Sequence, residues 1–265
     1  IDGKIMGSGD FNNLSPNDID NISILKDASA AAVYGSRAAG GVIVVTTKRG
    51  KKGTASIQYS FNTGEDYRTK NMALTNGVQM MNLYNQISNG GGGALGNAFS
   101  AADIANIQSI NNGYGYNQLQ TVYRNPSTTT HNLSVSGGTE KIQYFIGGSY
   151  VKDKGFLNNL EYDKYNFRSN ITAQVAKDLT FFGGVTLNNN ITSSTTSTPI
   201  GDPYGIYAKL LVWQPWQPVW TDSGKAADYG WIGNVGAETR GDGGYIRSNY
   251  LKPVINMNLT YKVPF

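Results

Sequence analysis

Residues 35–41 of this 265-residue chain, Gly-Ser-Arg-Ala-Ala-Gly-Gly, come nearest to a working chemical motif. Glycines at that density can cradle a phosphate. The stretch lacks the Gly-Lys-Ser/Thr ending that would reach phosphate oxygens and magnesium, so it reads as a structural bend. Tyr34-Gly35-Ser36 is not a nucleophile elbow, because no Gly-x-Ser-x-Gly is present. The single histidine, His131, cannot build a triad or a metal cluster alone and reads as a girdle or loop residue. Asp18, Asp20 and Asp27 stand where helix capping explains them better than metal binding. Cysteine is absent, which removes thiolate ligands and disulfides. No constellation joins a nucleophile, a base and oxyanion donors. The chain reads as a non-enzyme with no cofactor and no metal.

Two other features carry non-covalent possibilities. Arg37 is a charge in a small-residue segment, suited to an ion pair with an acidic partner. Trp213, Trp216, Trp220, Trp231 and Tyr204 crowd one stretch with Pro215 and Pro218. Such faces stack on sugar rings and anchor protein interfaces, and they also pack long loops internally. The one dense basic run, residues 48–52 (Lys-Arg-Gly-Lys-Lys), reads as a solvated turn between strands rather than a nucleic-acid site.

The elements that must position these residues fall into two parts. In the first, Ser15 is a candidate helix cap before Pro16, and Asp18 suits the first turn. Residues 22–25 read as a strand and 27–34 as a short helix capped by Asp27 and stopped by Gly35. Gly40 and Gly41 turn the chain into residues 42–47, Val-Ile-Val-Val-Thr-Thr. Their unbroken β-branched run predicts a strand buried on both faces.

From residue 54 the pattern alternates with period two. Ala55, Ile57, Tyr59 and Phe61 share a face, as do Leu133 and Val135 in 131–136, and Ile142, Tyr144, Ile146, Gly148 and Tyr150. Phe167, Ser169, Ile171, Ala173 and Val175 follow, then Leu179, Phe181, Gly183, Val185 and Leu187, then Ile255, Met257, Leu259, Tyr261 and Val263. These are six segments of about 8–11 residues, the length a tilted strand needs to cross a bilayer. Short links at 137–141 and 176–178 alternate with long ones at 63–130, 152–164 and 192–250. That asymmetry is the habit of an outer-membrane barrel, with tight periplasmic turns and long extracellular loops. The first long link carries two helices, 78–87 and 101–110, around a glycine-rich spacer. Mean hydropathy is −0.35, and no apolar run is long enough for a membrane helix.

Residues 22–48 resemble the segment that closes the plug of SusC/RagA-type TonB-dependent outer-membrane transporters of Bacteroidetes. Val33 stands where Ile is common and Gly40 where Asn is common. Ile1-Asp2-Gly3 resembles a plug strand, residues 132–141 an early barrel hairpin, and 165–170 the strand after it. The plug signature then covers Leu25, Lys26, Asp27, Tyr34, Gly35, Ser36, Arg37 and Gly41. The resemblance implies a mainly β fold: a partial transmembrane antiparallel β-barrel of about six strands after the C-terminal part of an α+β plug domain. Residues 1–50 would be plug and 51–265 barrel. Six strands cannot close a barrel of that size, and no leader sequence is visible at Ile1, so the chain reads as a piece of a longer protein.

The resemblance further implies TonB-dependent import of a nutrient, an oligosaccharide or a peptide, across the outer membrane. The implied partners are a TonB–ExbB–ExbD energy-coupling complex, a SusD-like lipoprotein, the glycan or peptide cargo, and outer-membrane lipid, with no nucleic acid. A siderophore or cobalamin receptor is the alternative with the same architecture. A surface adhesin or structural barrel without transport is another.

Overall fold

The computed structural model describes all residues except 27–33, 36–40, 70–74, 91–98, 117–121, 196–202, 228, 230–233, 241–243 and 264–265. Helix α1 (Ser8–Asn13) and a 3-10 turn (Pro16–Asp18) lead into β1 (Ile19–Leu25). β1 pairs antiparallel with β2 (Val42–Thr47) in a two-stranded sheet. Six strands follow: β3 (Gly53–Glu65), β4 (Ser127–Gly138), β5 (Ile142–Lys154), β6 (Glu161–Ala176), β7 (Leu179–Thr195) and β8 (Tyr245–Tyr261). They form one sheet in chain order, every neighbour antiparallel. Among the described residues the sheet does not close, and β3 and β8 are its edges.

The register explains the alternation. Phe61, His131, Tyr150 and Tyr165 stand opposite one another across four strands. Their rings touch in sequence, Phe61–His131 at 4.9 Å, His131–Tyr150 at 6.3 Å and Tyr150–Tyr165 at 4.8 Å. Below this aromatic row the same face carries Ile57, Leu133, Ile146, Phe167, Val185 and Ile255, all exposed or half-buried. From Leu179 up to Asn189 this face rises about 23 Å, at roughly 3.3 Å per residue and a 45° tilt. That is the height of an outer-membrane apolar band. The opposite face is polar: Ser60, Asn132, Ser149, Asn166, Asn188 and Lys252 form one register row.

The strands run longer than the 8–11 residues expected, up to 17 in β7 and β8. The added residues continue the ladders past the aromatic row, as in Glu161↔Ser193 and Ser194↔Ile246. Outside hydrocarbon neither face needs to be apolar, so the period-two signal fades while the hydrogen bonds persist. Helices α2 (Gly77–Asn89) and α3 (Ala101–Ser109) stand where expected, capped by Asn76 and Ser100. Among the described residues no helix is long and apolar enough to cross a membrane.

Two local expectations are corrected. β2 is not buried on both faces: Ile43 is 55% exposed, while Val45 and Thr47 are each at 1%. Burial rises along the strand because its last residues reach the large sheet while its start stands in a two-stranded ribbon. Ser15 does not cap; its hydroxyl donates to Asn132 Oδ1 on β4 at 3.3 Å.

Gly50 marks the passage from small sheet to large. A Cβ there would lie 2.2 Å from the Tyr144 backbone nitrogen. Gly50→Ala is therefore expected to cost at least about 1–3 kcal/mol, read as a lowered unfolding midpoint of the full-length protein in detergent. Gly64→Ala, with nothing within 4 Å of the new methyl, should leave the midpoint unchanged.

Candidate functional site

Residues 1–18 and 47–50 lie against the polar face of the large sheet, and the contact between them is the candidate site. Its specific contacts are hydrogen bonds and ion pairs, and the Arg49 guanidinium also stands over the Phe182 ring at 4.6 Å. Arg168, inward-facing on β6, donates to Asp2 Oδ2 at 2.9 Å and to Thr47 Oγ1. Asp2 also accepts from the Thr47 N–H at 3.0 Å and from the Thr47 hydroxyl at 2.7 Å. One guanidinium thus ties the start of the chain to the end of β2. The pair is deeply buried, with side chains 8% and 10% exposed.

The remaining anchors spread across the wall. Lys252 on β8 pairs with Asp10. Lys164 donates to the Asn12 carbonyl at 2.7 Å, and Asn166 donates to the Asn13 carbonyl. Asn190 donates to Asn13 Oδ1 at 2.7 Å, and Asn170 to the Lys48 carbonyl at 3.0 Å. Asn17 and Asn132 both donate to Ser60 Oγ. A space of about 270 Å³, lined mostly by polar residues, remains between Ser15–Asn17 and β3–β6.

Electrostatics set the two buried carboxylates apart. Burial pushes the Asp2 carboxyl up, but the hydrogen bonds from Thr47 and Arg168 outweigh it and hold the group below its usual range. Asp18 is also buried, and there burial wins: its carboxyl is pushed up, with Arg168 and Lys48 offsetting only part of the effect. Gly147, paired with Arg168 in the register, makes room for it, because a Cβ there would stand 3.1 Å from Asp18 Oδ1. Among the described residues no group of three or more His, Cys, Asp or Glu side chains is placed to hold a metal.

The long links fold over one end of the sheet. Val122, Leu157, Ile206, Leu210 and Val235 form one buried cluster drawn from all three. Ile206 and Leu210 lie on helix α4 (Pro203–Leu211), and Val235 begins helix α5 (Val235–Arg240).

The family model of the TonB-dependent receptor plug domain matches residues 1–42. The chain is 27% identical over 166 residues to the TonB-dependent receptor SusC of Bacteroides thetaiotaomicron, covering 62% of this chain and 15% of that protein. It is 32% identical over 182 residues to the TonB-dependent receptor P26 of Formosa agariphila, covering 68% and 18%. The RagAB peptide importer in its closed-closed state superposes with a TM-score of 0.63 at 19% identity, over 84% of this chain and 27% of that one. The chain belongs to the SusC/RagA family of TonB-dependent receptors. It spans 15% and 18% of the length of these two curated relatives.

In this receptor piece the signature residues fall as follows. Leu25 ends β1, Lys26 follows it, and Tyr34 and Gly35 precede the bend. Gly35 and Gly41 have φ of +74° and +97°, as expected where the chain must turn left-handed. Asp27, Ser36 and Arg37 lie outside the described residues. Of the aromatic candidates, Trp213 is 7% exposed and donates to the Gln217 carbonyl at 3.0 Å. Trp216 packs with Phe99 at 4.6 Å and Tyr84 at 5.4 Å, joining the first and third long links. Trp220 lies under the Arg240 guanidinium at 5.3 Å. Tyr204 is on α4 with its side chain outside the described residues, as is Trp231 altogether.

Sequence reasoning looked for the locking charge at Arg37 and missed Arg168, Lys252, Asp2 and Asp10. A signal was available. Arg168 alternates with Phe167 and Ser169 in a segment long enough to cross a membrane, and an ionisable residue at such depth has to face a partner.

Arg168→Leu strands the Asp2 carboxylate and is expected to weaken the seating of residues 1–18 by about 3–5 kcal/mol. Faster hydrogen exchange at those residues in the full-length receptor would register it, and adding Asp2→Asn should recover part of the loss. The two carboxylates also predict opposite pH responses. Asp2, lowered in the seated state, contributes fully above the ordinary carboxylate pKa of about 3.9, and its contribution is lost as pH falls through the lowered value. Asp18, raised, costs stability at neutral pH, and that cost shrinks as pH falls below the raised value and is gone below the ordinary carboxylate pKa. Asp18→Asn should therefore slow exchange at neutral pH and match the unsubstituted receptor in acid.

Proposed function

We propose that the intact receptor imports a nutrient, an oligosaccharide or a peptide, across the bacterial outer membrane in a TonB-dependent manner. On this reading residues 1–50 belong to the plug, and residues 51–265 contribute the first six strands of the barrel and their extracellular loops. The observation that carries it is the character of the contact between the two. Among the described residues, the plug residues rest on the wall mainly through ion pairs and amide hydrogen bonds, and they contribute nothing to the buried apolar cluster of the long links. Polar contacts exchange for water at a net cost of roughly 0.5–1.5 kcal/mol each, so such a seam separates under load and closes again. A hydrophobic seam of the same extent would resist both steps.

Energy would come from a TonB–ExbB–ExbD complex pulling on the plug from the periplasm. A SusD-like lipoprotein would sit over the long-loop end, where the shared loop core offers a built surface. Trp216 and Trp220 are the aromatic residues there that remain candidates for cargo or partner contact, since Trp213 is spent on internal packing. Arg37 and the other signature residues of the bend are proposed to shape the plug.

Deleting the full-length gene is expected to abolish growth on at least one oligosaccharide or peptide source. A protonophore should stop uptake of that same nutrient within minutes in the unmodified strain. Unchanged uptake of every glycan and peptide tried after deletion would overturn the reading.

A further inference from the structure

We propose that the short-turn rim of the sheet binds the headgroups of anionic phospholipid in the periplasmic leaflet. The inference rests on the barrel reading above and adds to it a headgroup class and the residues that would bind it. Lysines stand at the base of the sheet: Lys52 before β3, Lys141 in the β4–β5 turn, Lys177 in the β6–β7 turn and Lys262 after β8. All four are exposed. Only two carboxylates, Glu140 and Asp178, belong to these turns, and Glu140 is engaged by Lys52. Among the described contacts Lys141, Lys177 and Lys262 make no ion pair.

The long-loop end differs. There Arg124 meets Glu161 at 3.5 Å, and Lys152 lies 3.6 Å from Glu161 and 3.7 Å from Asp163. Two cations at that end are thus paired within the protein, while among the described contacts three of the four lysines at the short-turn end are not.

Placement identifies the occupant. The lysines border the foot of the outward apolar face, next to exposed Ile142, Val175, Tyr261 and Val263. A ligand satisfying both must carry an acyl chain and a negative headgroup in one molecule. Lysine stems run along apolar surface and bring their ammonium groups to the phosphate level. Each such lysine strengthens attraction to an anionic leaflet. Nucleic acid or an acidic protein would match the charge and leave the adjoining apolar surface uncovered.

The test uses the full-length receptor in nanodiscs of phosphatidylcholine with a minor share of phosphatidylglycerol. Lipids retained after mild detergent release are identified by native mass spectrometry. Phosphatidylglycerol should be enriched roughly threefold to tenfold over its share of the bilayer, and Lys141→Gln, Lys177→Gln and Lys262→Gln together should return it to that share. Retention at the bilayer ratio by the unsubstituted receptor, or enrichment that survives the triple substitution, overturns the inference. Heat-modifiable gel mobility in pure phosphatidylcholine discs tests the barrel separately. If it fails, the proposed function fails too; if it holds without enrichment, only the lipid inference falls.

Discussion

A strand with hydrocarbon on one side and a polar interior on the other must change character at every residue, and the rest of this structure follows from that constraint. In lipid an unpaired backbone group is too costly, so each strand must be laddered to its neighbours along its length. Six consecutive antiparallel strands do so here, with register shifts only near the short-turn end, at Gly53–Ser56 and Gln174–Ala176. The same register that aligns Phe61, His131, Tyr150 and Tyr165 outside aligns Ser60, Asn132, Ser149 and Asn166 inside. A slip of one residue in any strand would turn its amides toward lipid and its apolar stripe toward the plug.

The polar interior then decides how a plug can be held. A wall of asparagines, Lys164, Arg168 and Lys252 offers hydrogen bonds and charge but little apolar surface. The residues resting on it accordingly present carbonyls, carboxylates and hydroxyls. Arg168 is the most constrained of these contacts, because it is buried and serves Asp2 and Thr47 together. Replacing the pair with well-packed apolar groups could hold the plug as firmly.

Past the aromatic row the long links behave as ordinary protein. They bury Val122, Leu157, Ile206, Leu210 and Val235 in a common core, and Trp216 packs against Phe99 and edge-on to Tyr84 across two links. Tight approaches support this packing: a Cβ on Gly115 would stand 2.3 Å from the Pro215 carbonyl oxygen. The loops therefore present one shaped surface over the sheet.

The six strands, their faces, the alternation of short and long links and the two loop helices were all legible in the sequence. Each is a local consequence of period or turn chemistry: Ile142 to Tyr150 shows its outward face by spacing alone. The partners of individual side chains were not legible. Nothing near Ser15 in the chain reveals that its hydroxyl is used by Asn132, and nothing near Arg168 names Asp2, 166 residues away. The exposure of Ile43 beside a buried Val45 depends on how far β2 reaches toward the wall. Periodicity reports which face of an element meets which solvent, and that much the sequence determined by itself. Which charge meets which depends on strand register and on how the N-terminal segment docks, and only the tertiary structure brings those together.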